Sequence, residues 1–214
     1  AKLATMTVGD PRIEGVRVGP LVSKAQQAVA YASLDKLRSE AEVVFGGQRP
    51  GEGGFVPQGG DPERSAFVQP TLLLCDKGLA AHYVHDVEVF GPVATVLPYG
   101  NAVEAVALAR RGRGSLVASV YSADAAFLAE LVPGIADLHG RVMVIDAEVG
   151  GQHTGHGNVM PTCLHGGPGR AGGGEELGGL RALHLYHRRF VVQAGPAVLA
   201  ALAAKAADAA LLSA

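Results

Sequence analysis

The sequence predicts an α/β fold, a mainly parallel sheet flanked by helices, with a C-terminal strand and helix. Three observations carry this. Short apolar runs of strand length alternate with segments of helical period, the pattern of strands covered by helices on both faces. The composition is that of an aliphatic core, 48% hydrophobic, 18% charged and 5% aromatic with no tryptophan in 214 residues, which excludes a disordered tail. A chain of this length is also sufficient for one domain or one and a fraction, burying on the order of 70% of its unfolded surface.

Taken in order, residues 1–6 read as the last turn of a helix, so the chain is expected to be a piece of a longer protein. Ser23 and Gln26 have the spacing of a capping box, the hydroxyl accepting from the third amide and the glutamine reaching back, and open a helix to about Glu40. Residues 43–45 are a short β-rich run. Residues 46–60 hold seven glycines with Pro50 and Pro57 and read as a dispensable surface loop. Residues 67–74 and 93–97 read as buried strands. Asn101 with Glu104 forms a second capping pair for a helix to about Arg111, and 116–121 is a strand. Ser122 caps a helix through Leu138 that Pro133 and Gly134 kink or shorten, and 142–145 is another strand. The last stretch, 197–214, is alanine-based and interrupted by Lys205 and Asp208; it reads as a packed helix, not a membrane span.

The formal net charge of −2 leaves no basic footprint for nucleic acid or an anionic membrane surface, so neither is an expected partner. Two cysteines are too few for a disulfide framework and no secretory signal is evident, so a reducing cytoplasm is the expected compartment. The 30 glycines are about twice the usual share of roughly 7%. Nineteen of them fall in two runs, 46–60 and 150–179, so the excess is local and therefore positional.

Several motifs fail on inspection. Residues 167–172 satisfy G-x-G-x-x-G formally, but the preceding 155–165 reads as irregular where the fingerprint needs a strand, and the positions where its acidic residue belongs fall in 183–189, so they read as a decoy. No P-loop and no G-x-S-x-G elbow is present. His153, His156, Cys163, His165, His184 and His187 are of the types that bind zinc, yet their spacing matches no standard ribbon, and a metal site is not expected. Cys75 ends an apolar run and reads as core; Cys163 has no activating context. No residue of the chain is therefore assigned as catalytic.

Two segments remain. In residues 87–92 a carboxylate, Glu88, and an aromatic ring, Phe90, stand two apart and share one face if the backbone is extended. A carboxylate can accept from a vicinal diol, and a ring can support a flat heterocycle; the competing reading is an ordinary pair at a strand edge. Residues 165–179 hold eight glycines in fifteen, which suits backbone approaching a ligand or another chain segment closely, or a flexible loop.

In this order the segments resemble the C-terminal part of the aldehyde dehydrogenase superfamily, over nearly all of residues 1–196. Val8-Gly-Asp-Pro11 with Val18-Gly-Pro-Leu-Val-Ser23 is similar to the stretch downstream of that family's catalytic cysteine. Glu88-Val-Phe90-Gly91-Pro92-Val93 is similar to its E-x-F-G-P-V motif, Leu116-Val-Ala-Ser-Val-Tyr-Ser122 to its later strand, and Gly140-Arg-Val-Met-Val-Ile145 to the strand before the substrate loop. Within the superfamily, Thr154-Gly-His156-Gly and the run from Leu164 to Arg181 look like the dehydrogenase domain of the bifunctional phenylacetate ring-opening enzyme (oxepin-CoA hydrolase / 3-oxo-5,6-dehydrosuberyl-CoA semialdehyde dehydrogenase), or the semialdehyde dehydrogenase of the benzoyl-CoA pathway.

The resemblance implies an NAD or NADP cofactor, with Glu88 bonding the nicotinamide ribose hydroxyls and Phe90 positioning that riboside. Most relatives carry a second acidic residue where Val87 stands. It places His165, Gly166 and Gly167 at the substrate tunnel, His165 where an aromatic is usual, which makes the tunnel more polar. In the family a cysteine thiolate attacks the aldehyde, hydride leaves to the nicotinamide, and a glutamate-activated water releases the acid. The nucleophile motif, the glutamate base motif and the dinucleotide-binding half have no counterpart here and are expected before Ala1.

Residues 1–188 are thus expected to be part of the catalytic domain, and 189–214 a strand and helix of the type the family uses for oligomerisation. The expected function is that of the C-terminal portion of an NAD(P)-dependent enzyme oxidising a CoA-linked semialdehyde in aromatic-acid catabolism, a homo-oligomer at full length and inactive as this fragment. The alternatives are a non-catalytic pseudoenzyme or assembly module of the same fold, and a metal-dependent hydrolase resting only on the histidines.

Overall fold

The structure, a computed structural model, describes residues 2–152, 164–166, 169–171, 173–175, 180, 183 and 192–211. Near the start, β1 (Thr7–Val8) pairs parallel with β2 (Val16–Val18). The first long helix, α1 (Lys24–Leu37), begins where expected, with the Ser23 hydroxyl accepting from the Gln26 amide at 3.1 Å. The capping box is only half made, however. The Gln26 side chain does not reach back but donates from Nε2 to the Phe90 carbonyl at 3.2 Å, a tertiary bond in place of a local one. Helix α1 buries Gln27, Ala30, Tyr31, Leu34 and Leu37, the stripe that 3.6-residue periodicity puts on one face.

That stripe packs against a three-stranded sheet of β3 (Glu42–Phe45), β4 (Thr71–Leu74) and β5 (Val93–Val96), with β4 central, antiparallel to β3 and parallel to β5. Tyr31, Leu34, Leu37, Ala41, Val68, Leu73, Cys75 and Ala81 form its core, and Cys75 is a free, buried thiol. Residues 67–70 precede β4 without joining the ladder, so the strand is shorter than its apolar run.

The 46–60 loop is not the dispensable connection its composition suggests. Phe55 is buried with Val8 and Phe67 in a second core cluster, and Gln58 bonds β1, its amide donating to Val8 at 2.8 Å and its carbonyl accepting from Asp10 at 2.9 Å. All seven glycines of the run have positive φ, a backbone region that side chains disfavour. At Gly46 a Cβ would also fall 2.1 Å from the Pro70 carbonyl oxygen.

Further on, α2 (Tyr83–Asp86) is a single turn between β4 and β5. The α3 helix (Ala102–Arg111) is capped by Asn101, which accepts from the Glu104 amide at 2.9 Å, while the Glu104 carboxylate accepts from Gly100 at 2.8 Å. The cap of α4 (Ala125–Ala136) is Asp124, not Ser122. Its carboxylate accepts from Ala126 and Phe127, and Ser122 instead accepts from the Asp124 amide. Helix α4 runs through Pro133 and ends at Ala136, two residues before Leu138, because a proline in a helix's last turn forfeits one hydrogen bond without ending the helix at once. Gly134 lets α4 approach α3, since a Cβ there would meet Val106 at 2.7 Å.

β6 (Ser115–Tyr121) and β7 (His139–Ile145) pair in parallel, and α3 and α4 pack on them through Val106, Ala109, Val120, Leu131 and Ile135. The fold is α/β and three of the five described ladders are parallel, but the described strands form four small sheets, not one. β5 and β6 do not pair with each other, although α3 joins them as α4 joins the paired β6 and β7. Last come a hairpin, β8 (Leu164–Gly166) antiparallel to β9 (Gly173–Glu175), and α5 (Pro196–Leu211).

The C-terminal helix forms, but residues 196–204 are all exposed, which corrects the expectation of a packed element. Alanine-rich sequence has high intrinsic helix propensity and does not need a packed face to be helical. No described helix is long and apolar enough to cross a membrane. In the expected strand over 189–194, residues 189–191 lie outside the described residues and 192–194 have no regular structure.

Candidate active site

The segment carrying Glu88 and Phe90 is built from both ends. Upstream, the Glu40 carboxylate closes the N-terminus of α2, accepting from the amides of His82 at 2.9 and 3.0 Å, Tyr83 at 2.7 Å and Val84 at 3.3 Å. Burial pushes the Glu40 carboxyl up, but the amides of His82, Val84 and Tyr83 outweigh it and hold the group below its ordinary value. Beyond Asp86 the backbone becomes extended, with φ −100° and ψ 115° at Val87. Side chains then alternate: Val87 and Val89 pack against the first core, while Glu88 and Phe90 turn outward, the Phe90 ring 70% exposed. A tight turn at Gly91, with its amide bonded to Val89 at 2.8 Å, and a bond from the Thr71 amide to the Pro92 carbonyl at 2.9 Å lead into β5.

Glu88 lines an open cleft of about 660 Å³ together with His85, Ser115, Leu116, His139 and Arg170. Its carboxylate has no hydrogen-bond or ion-pair partner among the described residues, so it faces the cleft as an uncommitted acceptor. Phe90 stands outside the lining of that cleft.

The glycine-rich segment reaches the same place. Gly140 in β7 has room for no side chain, since a Cβ would fall 1.6 Å from the Gly166 carbonyl oxygen and 2.9 Å from that of Leu116; β8 thus rests directly on the β6–β7 ladder. Within the hairpin His165 pairs with Gly174 and Gly166 with Gly173. Gly167 lies outside the described residues, as do His153, His156, Cys163, His184 and His187. Among the described residues no cluster of three or more metal-ligating side chains occurs.

Arg170 joins the two segments. Its amide donates to the Arg113 carbonyl at 3.0 Å, its Nη1 to the His85 carbonyl at 2.8 Å and its Nη2 to the Asp86 carbonyl. Arg113 in turn holds the Asp86 carboxylate at 2.6 Å. Sequence reasoning assigns no role to Arg170, Arg113, Asp86 or Glu40. A faint signal exists for two of them: Arg170 is a cation inside a glycine run, and Arg113 lies between Gly112 and Gly114 and adopts φ +58°, uncommon for a non-glycine residue.

A sequence model of the aldehyde dehydrogenase family matches residues 1–187. The chain belongs to the aldehyde dehydrogenase family. It is 74% identical over 167 residues to a 3,4-dehydroadipyl-CoA semialdehyde dehydrogenase of Aromatoleum evansii, covering 78% of this chain and 32% of that protein. It is 40% identical over 186 residues to Protein MaoC of Klebsiella aerogenes, covering 86% of this chain and 52% of that protein. The chain thus spans about a third and about half of these two relatives. Among solved structures, a betaine aldehyde dehydrogenase point mutant from Staphylococcus aureus, in complex with NAD+, superimposes with a TM-score of 0.67 at 24% identity, over 86% of this chain and 34% of that one. This likeness shows the aldehyde dehydrogenase fold.

Proposed function

We propose that the chain is the C-terminal portion of an NAD(P)-dependent aldehyde dehydrogenase that oxidises a CoA-linked semialdehyde to its acid in aromatic-acid catabolism. The observation that carries the reading is Glu88, a carboxylate without a partner among the described residues, at the wall of a cleft of about 660 Å³, large enough for a nucleoside. A carboxylate there offers acceptors matched to the two hydroxyls of a ribose. Phe90, exposed two residues on, offers a ring face to a planar heterocycle. A nicotinamide cofactor, when bound, supplies the hydride acceptor for the oxidation. The chain's part is to orient the ribose through Glu88 and to wall the aldehyde tunnel with the segment containing His165, Gly166 and Gly167. The name of the Aromatoleum relative, a 3,4-dehydroadipyl-CoA semialdehyde dehydrogenase, supports a thioester-bearing semialdehyde.

On this reading the nucleophile, the general base and the dinucleotide-binding half belong to the rest of the protein, which is a cytoplasmic homo-oligomer using residues 189–214 as its pairing element. The test compares the 214-residue chain with the full-length protein, following reduced nicotinamide on addition of a CoA-linked semialdehyde and either NAD+ or NADP+. Turnover by the full-length protein and none by the chain is expected. Robust turnover by the chain alone sinks the claim that essential parts lie elsewhere, and a folded, assembled but inactive full-length protein favours a non-catalytic assembly module.

A further inference from the structure

We infer that Arg170 is a positioning residue for Glu88, fixing the cofactor-side carboxylate from the substrate-side loop; this rests on the ribose-binding reading of Glu88. The guanidinium donates to two successive backbone carbonyls, those of His85 at 2.8 Å and of Asp86. These are the last two residues of α2, and Glu88 follows after one intervening residue, Val87, whose partly buried side chain packs against the first core. Two carbonyls and one partly buried valine leave the Glu88 backbone few ways to shift. Arg170 is itself fixed through its amide to the Arg113 carbonyl at 3.0 Å, and Arg113 closes the arrangement on the Asp86 carboxylate at 2.6 Å.

The Arg170 guanidinium is 4.0 Å from that carboxylate, so its main work is on the carbonyls and not on the charge. Arg170 and Glu88 line the same cleft, and Arg170 sits between β8 and β9, the hairpin that rests on Gly140. The loop named in the sequence as tunnel wall and the carboxylate named as ribose acceptor are therefore one mechanical unit, 85 positions apart in sequence at the His85 bond.

A planar fork that meets two acceptors at once is a property of arginine; a lysine ammonium is a point charge and does not span both. In the full-length enzyme, Arg170→Ala should raise KM for the nicotinamide cofactor about tenfold, with a smaller change in kcat, since small misplacement of a binding group costs rates and affinities of that order. Arg170→Lys, which keeps the charge and most of the stem and so folds more readily, should match Arg170→Ala. Combining either with Glu88→Gln should add little to the cofactor KM of Glu88→Gln alone, because residues acting through one contact are not additive.

Wild-type cofactor KM in Arg170→Lys, or full additivity with Glu88→Gln, overturns the inference while leaving the ribose reading intact. An unchanged cofactor KM in Glu88→Gln overturns the ribose reading, and the inference with it.

Discussion

At Gly140 a single hydrogen atom decides whether the hairpin can dock. The two atoms a Cβ would strike, the carbonyl oxygens of Gly166 and Leu116, belong to backbone and cannot swing aside as a flexible side chain could. Gly140→Ala should therefore lift β8 from the β6–β7 ladder and destabilise the fold by about 1–3 kcal/mol, the usual range for overpacking a close contact. Urea unfolding measures this, and an unshifted midpoint would show that the hairpin does not rest there. The same scale sets what could be read from sequence at the site. Glu88 and Phe90 are legible because period-2 alternation needs only an extended backbone, and Val87 and Val89 supply the apolar half of the pattern. Arg170 and Glu40 are not, because each acts on backbone atoms far away in sequence, and a carbonyl or amide carries no residue-type signature; Arg113 meets the Asp86 carboxylate 27 positions back, a pairing no local pattern announces.

Among elements, α2 shows how a helix too short to be stable alone is kept. One turn of helix leaves its N-terminal amides unpaired, and the Glu40 carboxylate takes three of them. Because Glu40 has its carboxyl pKa lowered in the folded protein, its contribution is present above the unfolded pKa and is lost as pH falls through the folded one. The stability difference between wild type and Glu40→Gln should thus be full near neutrality and shrink as pH drops below the ordinary glutamate value of 4.5; a difference independent of pH between 7 and 3 in thermal melts would contradict it. At α1, Ser23→Ala should cost about 1 kcal/mol through the lost cap, readable as a lower urea midpoint. The type and order of α1, α3, α4 and β3 to β7 were legible because caps and apolar runs are local, whereas β1, β2, α2, β8 and β9, each of four residues or fewer, are too short to carry a period. The boundaries that moved, at Ser122 and the start of β4, moved where a neighbouring residue offered the backbone an equally good bond or where the ladder had no partner to extend.

Over the whole molecule, apolar side chains that a closed domain would cover are left open. Val22 is 92% exposed, Val56 and Tyr121 both 76%, Phe90 70% and Leu116 50%, the last two beside or within the strands that carry the candidate site. Leu116 and Tyr121 both belong to β6, a strand that pairs only with β7 among the described residues, and the chain spans only about a third of its Aromatoleum relative. If the remaining two thirds of such a protein cover these strands, the isolated 214-residue chain should bind a hydrophobic dye strongly and elute in size-exclusion chromatography above its mass of 21.9 kDa, the effect growing with protein concentration. The full-length protein should bind little dye per chain and show one concentration-independent assembly. Charged replacements at Leu116 and Tyr121 separate the two causes of such behaviour: they should return the isolated chain toward its monomer mass, yet disrupt the full-length enzyme, whose interior those strands would enter. A chain that is monomeric and dye-silent without any replacement would mean that these strands are finished as they stand, and that the expectation of a larger covering structure is wrong.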